Sequence, residues 1–165
     1  MASLSGRLLV ARSSLRDSFF HRTVILLLQH GPDGAFGVVL NRPAPAKEVP
    51  FPVYLGGPCK MEGLLMIHGQ ADWTDEDVPP TEVCPGVYLG DAACFEKVSG
   101  DYLDPAWQFR IFIGYAGWGP KQLEAELNEN AWIVLPGRGE LIFPTSPDEL
   151  WDRLAPSPVP DPSLN

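Results

Sequence analysis

The side chains with which this chain could do chemistry are few and widely spaced. Of its three histidines, His68 closes the apolar run Leu64 to Ile67, where an imidazole could titrate near neutrality and act as a general base. No nucleophile stands beside it in sequence, so a histidine simply hydrogen-bonded at a strand end fits the same residues. His21, His30 and His68 lack the helical spacing of metal-binding pairs, and no metal site is expected. Cys59, Cys84 and Cys94 are odd in number and contain no Cys-x-x-Cys. That argues against a disulfide framework or a zinc knuckle and suits a reducing cytoplasm. Neither a serine elbow, a Walker loop nor a dinucleotide fingerprint occurs, so no cofactor and no catalytic residue follow from these positions.

Polar residues set beside glycine or proline offer a second kind of chemistry, ligand binding. In Asn41-Arg42-Pro43 the proline holds Arg42 extended, which would present both polar side chains at the end of a buried strand; Asn41 could equally satisfy turn backbone. Gly56-Gly57-Pro58 supports a tight turn or a nest of amides. Gly114 to Gly119 places three glycines between a strand and a helix. Backbone there could approach an anion closely, or the glycines could let Trp118 tuck against the sheet. Further on, Gln122 and Glu126 share one side of the helix. A half-buried Glu126 wants a cation, and Arg22 or Arg42 could supply it as a structural ion pair. If these segments converge, Asn41, Arg42, Gly56, Gly57, His68, Gly117, Trp118, Gln122 and Glu126 line one cleft for a small anionic ligand or a protein partner.

The elements that would position them are legible as short apolar runs. Leu8 to Ala11, Thr23 to Leu28 and Phe36 to Leu40 are expected strands, the last two joined by the turn Gly31-Pro32-Asp33-Gly34. Proline punctuation from Pro43 to Pro52 predicts a loop. Val53 to Leu55, Leu64 to His68, Val87 to Leu89, Phe109 to Tyr115 and Trp132 to Leu135 are further strands, and Asp72 to Pro80 is an acidic surface excursion. Asp91 can cap a helix running to Val98, and Pro120 to Glu129 forms a helix with Leu123 and Leu127 on one face. Ser146 and Glu149 match a capping box opening a helix that presents Leu150, Trp151 and Leu154.

A chain of 165 residues with 45% hydrophobic and 20% charged residues fits one folded domain over residues 1–154. The tail, residues 155–165, carries four prolines and is expected to be disordered. No secretory signal and no membrane span is visible. The net charge of −9 opposes nucleic-acid binding, because such affinity comes mainly from basic side chains. A local excess of Arg7, Arg12, Arg16 and Arg22 over Asp17 can be ordinary surface charge or a phosphate-binding arm.

Several motifs stand in a fixed order: Asp17-Ser18-Phe19-Phe20 with Arg22-Thr23-Val24, Gly37 to Pro43, Gly56-Gly57-Pro58, and Gly114 to Pro120 followed by Gln122-Leu123-Glu124 and Glu126. Together, from Gly6 to Leu154, they resemble the bacterial YqgE/AlgH family. The resemblance implies an α+β domain whose mixed sheet curls into a partial barrel with a few short helices around it. It implies no established catalytic activity, and some members are described as transcriptional regulators. The link from Pro43 to Val53 is shorter than is usual there, and Cys59 stands where an aliphatic residue is typical. Function is then expected to be that of a non-enzymatic ligand- or protein-binding regulatory module. The alternatives are a hydrolase-like enzyme with a His68 or Glu126 base and an Arg42 anion clamp, or a transcriptional regulator, which the acidic charge and the missing helix-turn-helix pattern oppose.

Overall fold

The computed structural model describes residues 2–15, 17–44, 51–73 and 81–155. In chain order the strands are β1 (Arg7–Ala11), β2 (Val24–Gly31), β3 (Gly34–Val39), β4 (Pro43–Ala44), β5 (Val53–Leu55), β6 (Leu65–His68), β7 (Thr81–Cys84) and β8 (Val87–Leu89), then helix α1 (Ala92–Val98). After it come β9 (Phe109–Ile113), β10 (Ala116–Trp118), α2 (Gln122–Asn128), β11 (Trp132–Pro136), α3 (Gly139–Ile142) and α4 (Pro147–Leu154).

The strands divide between a five-stranded antiparallel sheet, ordered β10-β3-β2-β1-β11, and a six-stranded mixed sheet, ordered β4-β5-β9-β6-β8-β7, in which β5 and β9 run parallel. Sheets buried on both faces need strands that are apolar throughout. The early runs meet that need: along β1, Leu8 and Val10 face one core while Leu9 and Ala11 face another. Each of the leucines and the valine, fully buried, contributes roughly 1.5–3 kcal/mol.

Three apolar layers result. The inner one lies between the sheets and joins Leu8, Val10, Leu26 and Val38 of the first to Ile67, Val87 and Phe112 of the second, closed by Ile142 and Leu150 from α3 and α4. The outer face of the five-stranded sheet packs Ile25, Leu27, Val39, Trp118 and Trp132 under Leu123 of α2. The outer face of the six-stranded sheet packs Val53, Met66 and Ile111 with Trp73 under Cys94 and Val98 of α1.

At one corner the two sheets are stitched together. Val39 N–H donates to the Gly56 carbonyl at 2.8 Å, Gly56 N–H to the Ile113 carbonyl at 2.8 Å, and Leu55 N–H to the Arg42 carbonyl at 2.7 Å. Cys59 and Tyr115 exchange main-chain bonds beside it. The α+β class and the mixed sheet are as expected; the strands wrap this corner without closing into a barrel.

Local differences have local causes. Asp91 caps α1 by accepting from Cys94 N–H at 3.0 Å, as its position predicts. Helix α2 starts at Gln122 rather than Pro120, because Lys121 sits in the left-handed region at φ 64°. The expected capping box at Ser146 does not form: the Ser146 side chain makes no cap bond, and Pro147 begins α4 with a pre-set φ and no amide to satisfy. Strands β7 and β10 and helix α3 carry no pattern long enough to announce them. Of the loop predicted from Pro43 to Pro52, the start forms β4, and residues 45–50 lie outside the described residues. So do 74–80 of the acidic excursion and 156–165 of the proline-rich tail. Among the described residues no helix is long and apolar enough to cross a membrane, and Cys59, Cys84 and Cys94 are free thiols.

Candidate functional site

Asn41 and Arg42 leave β3 together and turn into the protein's own backbone. The Asn41 side chain accepts from Val24 N–H at 3.0 Å and donates to the Arg22 carbonyl at 2.9 Å. It therefore satisfies turn backbone, the simpler of its two possible roles. Arg42 donates to the His21 carbonyl and, at 3.4 Å, to that of Asn41. Partial burial and the neighbouring Arg22 charge lower its proton affinity. Gly56 belongs to the sheet corner, and a Cβ on Gly57 would sit 2.0 Å from the Tyr115 carbonyl carbon. That glycine is demanded by backbone packing.

The glycine tract differs from expectation in kind. Ala116 to Trp118 is itself a strand, paired with β3 through Gly117 opposite Phe36. The amide that could have met an anion, Gly119 N–H, donates to Gln122 Oε1 at 2.9 Å. Glu126 gathers three donors: Trp118 Nε1 at 3.1 Å, Trp132 Nε1 at 2.9 Å and Gln122 Nε2 at 3.2 Å. The anticipated Arg22–Glu126 ion pair is absent. Arg22 instead donates to Asp152 at 2.9 Å and lies 4.3 Å from the centre of the Trp151 ring. Indole N–H groups at the edge of an apolar layer need an acceptor, and the nearest carboxylate on α2 is committed to them.

His68 is 1% exposed on the opposite side of the molecule. Its Nδ1 accepts from Gln70 N–H at 3.1 Å, which places the ring proton on Nε2, 3.7 Å from Cys94 Sγ. Trp73 and Tyr88 cover the ring at centroid distances of 5.2 and 5.7 Å. Burial pulls the His68 pKa down against the opposing charges of Asp91 and Asp72. Burial likewise pushes the Cys94 thiol up. With the nucleophilic thiolate disfavoured, this pair has the character of packing rather than of a dyad. His68 belongs to one outer layer and Glu126 to the other, with the inner core between them. No one cavity therefore holds both candidate bases.

The expected cleft is thus distributed among several places. A different polar pair does open onto a hollow. His30 and Glu124 meet at 2.5 Å, Nε2 to Oε1, with side chains 4% and 26% exposed. His30 Nδ1 accepts from Leu4 N–H at 2.9 Å, its amide donates to Ser5 Oγ at 3.0 Å, and Ser3 Oγ donates to its carbonyl at 3.0 Å. An imidazole that accepts at Nδ1 carries its proton on Nε2 and donates it to the carboxylate. The bond from His30 holds the Glu124 carboxyl below the usual range. Beside the pair lies a hollow of about 700 Å³ lined by Ser3, Gly31, Pro32, Lys121, Ala125 and Asn128.

Alignment with known proteins places this architecture. The AlgH-like family pattern matches residues 8–161. The chain belongs to that family. A UPF0301 protein of Streptomyces avermitilis is 37% identical over 166 residues, covering 92% of this chain and 84% of that protein. One from Chlorobaculum tepidum is 33% identical over 158 residues, covering 90% and 83%. In solved structures, the solution structure of AlgH from Pseudomonas aeruginosa superposes with a TM-score of 0.72 at 25% identity, over 99% of this chain and 93% of that one. A crystal structure of a Corynebacterium diphtheriae protein shares the fold, with a TM-score of 0.74 at 24% identity over 97% and 90%.

In this AlgH-like chain one signal for the His30–Glu124 hollow was present and one was hidden. Lys121, Glu124, Ala125 and Asn128 form a helical stripe next to the apolar stripe of Leu123 and Leu127, so a second facing surface was readable. Strict alternation along β2, however, aims His30 into the inner core with Leu26 and Leu28. The pairing shifts between Leu27 and Gln29 and leaves Leu28 as an extra residue. That bulge reverses the alternation and sets His30 beside Ala35 on the α2 side.

Proposed function

We propose that the chain is a non-enzymatic small-molecule-binding module whose site is the hollow at His30 and Glu124. The observation that supports it is a carboxylate fixed by a buried imidazole at the wall of a roomy, largely apolar depression. Only Oε1 of Glu124 is bonded among the described residues. Its second oxygen can receive an ammonium or another donor, while Pro32 and Ala125 offer apolar surface to the ligand body. Lys121 is held in the left-handed region at φ 64° at the same wall, and backbone strain of this kind clusters at binding sites.

The hydrolase alternative used His68 or Glu126 as the base with Arg42 as the clamp; the cover of Trp73 and Tyr88 over His68 and the three donors on Glu126 oppose either choice. A regulatory role would follow from ligand-dependent stability or from a partner that recognises the occupied hollow.

Thermal-shift screening of the full chain with primary amines and amino acids tests the proposal, since any ligand that prefers the folded state raises the melting temperature. Hits are expected to weaken in Glu124→Gln and to vanish in Ala125→Trp, which fills the hollow and leaves the pair intact. An empty screen, or hits indifferent to both substitutions, would overturn it.

A further inference from the structure

The most buried cation of the described residues has no anion beside it among them. Strand β9 alternates so that Phe109 and Ile111 face the α1 layer, while Arg110 and Phe112 point between the sheets. Arg110 is 6% exposed. Its guanidinium donates to three main-chain carbonyls, Leu40 at 3.2 Å, Ile142 at 2.8 Å and Thr145 at 3.1 Å. The face of Tyr54 lies 5.4 Å from its Cζ.

Those partners satisfy hydrogen bonds and, among the described residues, leave the charge uncompensated. The Arg22 and Arg138 guanidiniums pair with Asp152 and Glu140 on the surface, where water would solvate them anyway. Arg110, where solvation is least, has no carboxylate within ion-pair distance among the described residues. Buried charges are ordinarily paired. Burial lowers the Arg110 pKa, with only Tyr54 opposing, yet a guanidinium stays protonated at neutral pH.

A guanidinium carries five N–H donors, of which three are engaged here. Nε forms no hydrogen bond among the described residues, and it is not one of the buried side-chain atoms sealed without a partner. Arg110 also borders a hollow of about 480 Å³ whose walls include Tyr54, Trp107, Gln108 and Phe143. We infer that Arg110 is the anchor of an oxyanion site, and that this hollow takes a small ligand bearing a carboxylate or phosphate group on a flat or short body. Both Nη2 hydrogens are engaged, so Nε–H is left to give an oxyanion oxygen one charge-assisted bond, and the tryptophan and phenylalanine of the walls suit a flat substituent. This hollow adjoins the six-stranded sheet and is separate from the depression under α2, so the two assignments stand or fall independently.

The test is titration of the full chain with sodium benzoate, sodium phosphate and, as an ionic-strength control, sodium chloride, each to about 50 mM. Melting temperature and the Arg110 side-chain Nε–H resonance are followed. A saturable rise with benzoate or phosphate beyond the chloride effect, with a moving Nε–H resonance, is expected. Benzoate without phosphate would assign the site to aromatic carboxylates, and phosphate without benzoate to phosphoryl groups. Arg110→Lys, which keeps the charge and loses the Nε–H donor, is expected to weaken binding by about tenfold or more. Should that variant fail to fold, Ala106→Trp crowds the same hollow from its exposed rim, leaves the guanidinium in place, and is expected to abolish binding. Equal effects of all three salts, or saturable binding unchanged in Ala106→Trp, would overturn the assignment.

Discussion

The two outer faces of the molecule follow one plan and end differently. Each covers a sheet with a seven-residue helix and a set of indoles, and each buries a histidine. Under α1, His68 meets a thiol, an amide and two aromatic rings. Under α2, His30 meets a carboxylate that reaches a hollow. A buried imidazole surrounded by groups that neither charge nor open to solvent is fixed as a packing residue. The same ring beside a carboxylate orients a charged acceptor where a ligand can reach it. Neighbours decide the difference, since the residue type is common to both.

The comparison can be broken most severely at α2. Leu123→Ala should cost about 2–5 kcal/mol, from lost transfer energy and the cavity left behind. Urea denaturation measures it, and amine hits should be lost as well because the stripe of Glu124 and Ala125 loosens. Val98→Ala on the other face should lower stability less and leave those hits untouched. Equal effects on ligand response would remove the distinction between the faces.

Glu126→Ala leaves two indole donors at the edge of the apolar layer without an acceptor and should cost about 1–3 kcal/mol, with altered tryptophan fluorescence. Glu126→Gln keeps an acceptor oxygen and should cost less. If the two variants behave alike, Glu126 is not the hub that orders Trp118 and Trp132.

Two pH effects of like sign are smaller and separate the two faces. The folded His68 pKa lies below its ordinary value, so its neutral form contributes stability that is present above about pH 6.5 and fades as pH falls. His68→Phe should flatten that part of a melting-temperature profile. The Glu124 carboxyl is also depressed, from an ordinary 4.5. Its contribution is present above that value and is lost as pH falls further. Glu124→Gln should flatten this lower step and leave the upper one, and a single merged step abolished by either variant would contradict two independent environments.

Much of the scaffold was legible. The apolar runs Leu8 to Ala11 and Val24 to Leu28, the hairpin turn at Pro32 and Asp33, the Asp91 cap and the Leu123 stripe are local patterns, fixed by side-chain periodicity and turn chemistry. Short elements escaped because three or four residues hold no period: β10 was hidden inside a glycine tract, and α3 inside Gly139–Ile142. The candidate site fared worse. Asn41, Arg42, Gln122 and Glu126 are polar residues at element ends, as a binding site requires, and each is engaged by nearby backbone or indole groups. Nothing along the chain distinguishes a side chain offered to a ligand from one taken by its own fold.

By itself the sequence determined the alternation that makes two double-faced sheets, the helices that cover them and the family to which the chain belongs. Those follow from short-range spacing and from motifs read in order. Tertiary structure alone decided that an extra residue at Leu28 turns His30 toward Glu124, that Glu126 serves two tryptophans, and that Arg110 enters the interior with no carboxylate beside it among the described residues. Each depends on residues tens of positions apart meeting in space, and charge compensation and side-chain facing are settled only by such meetings.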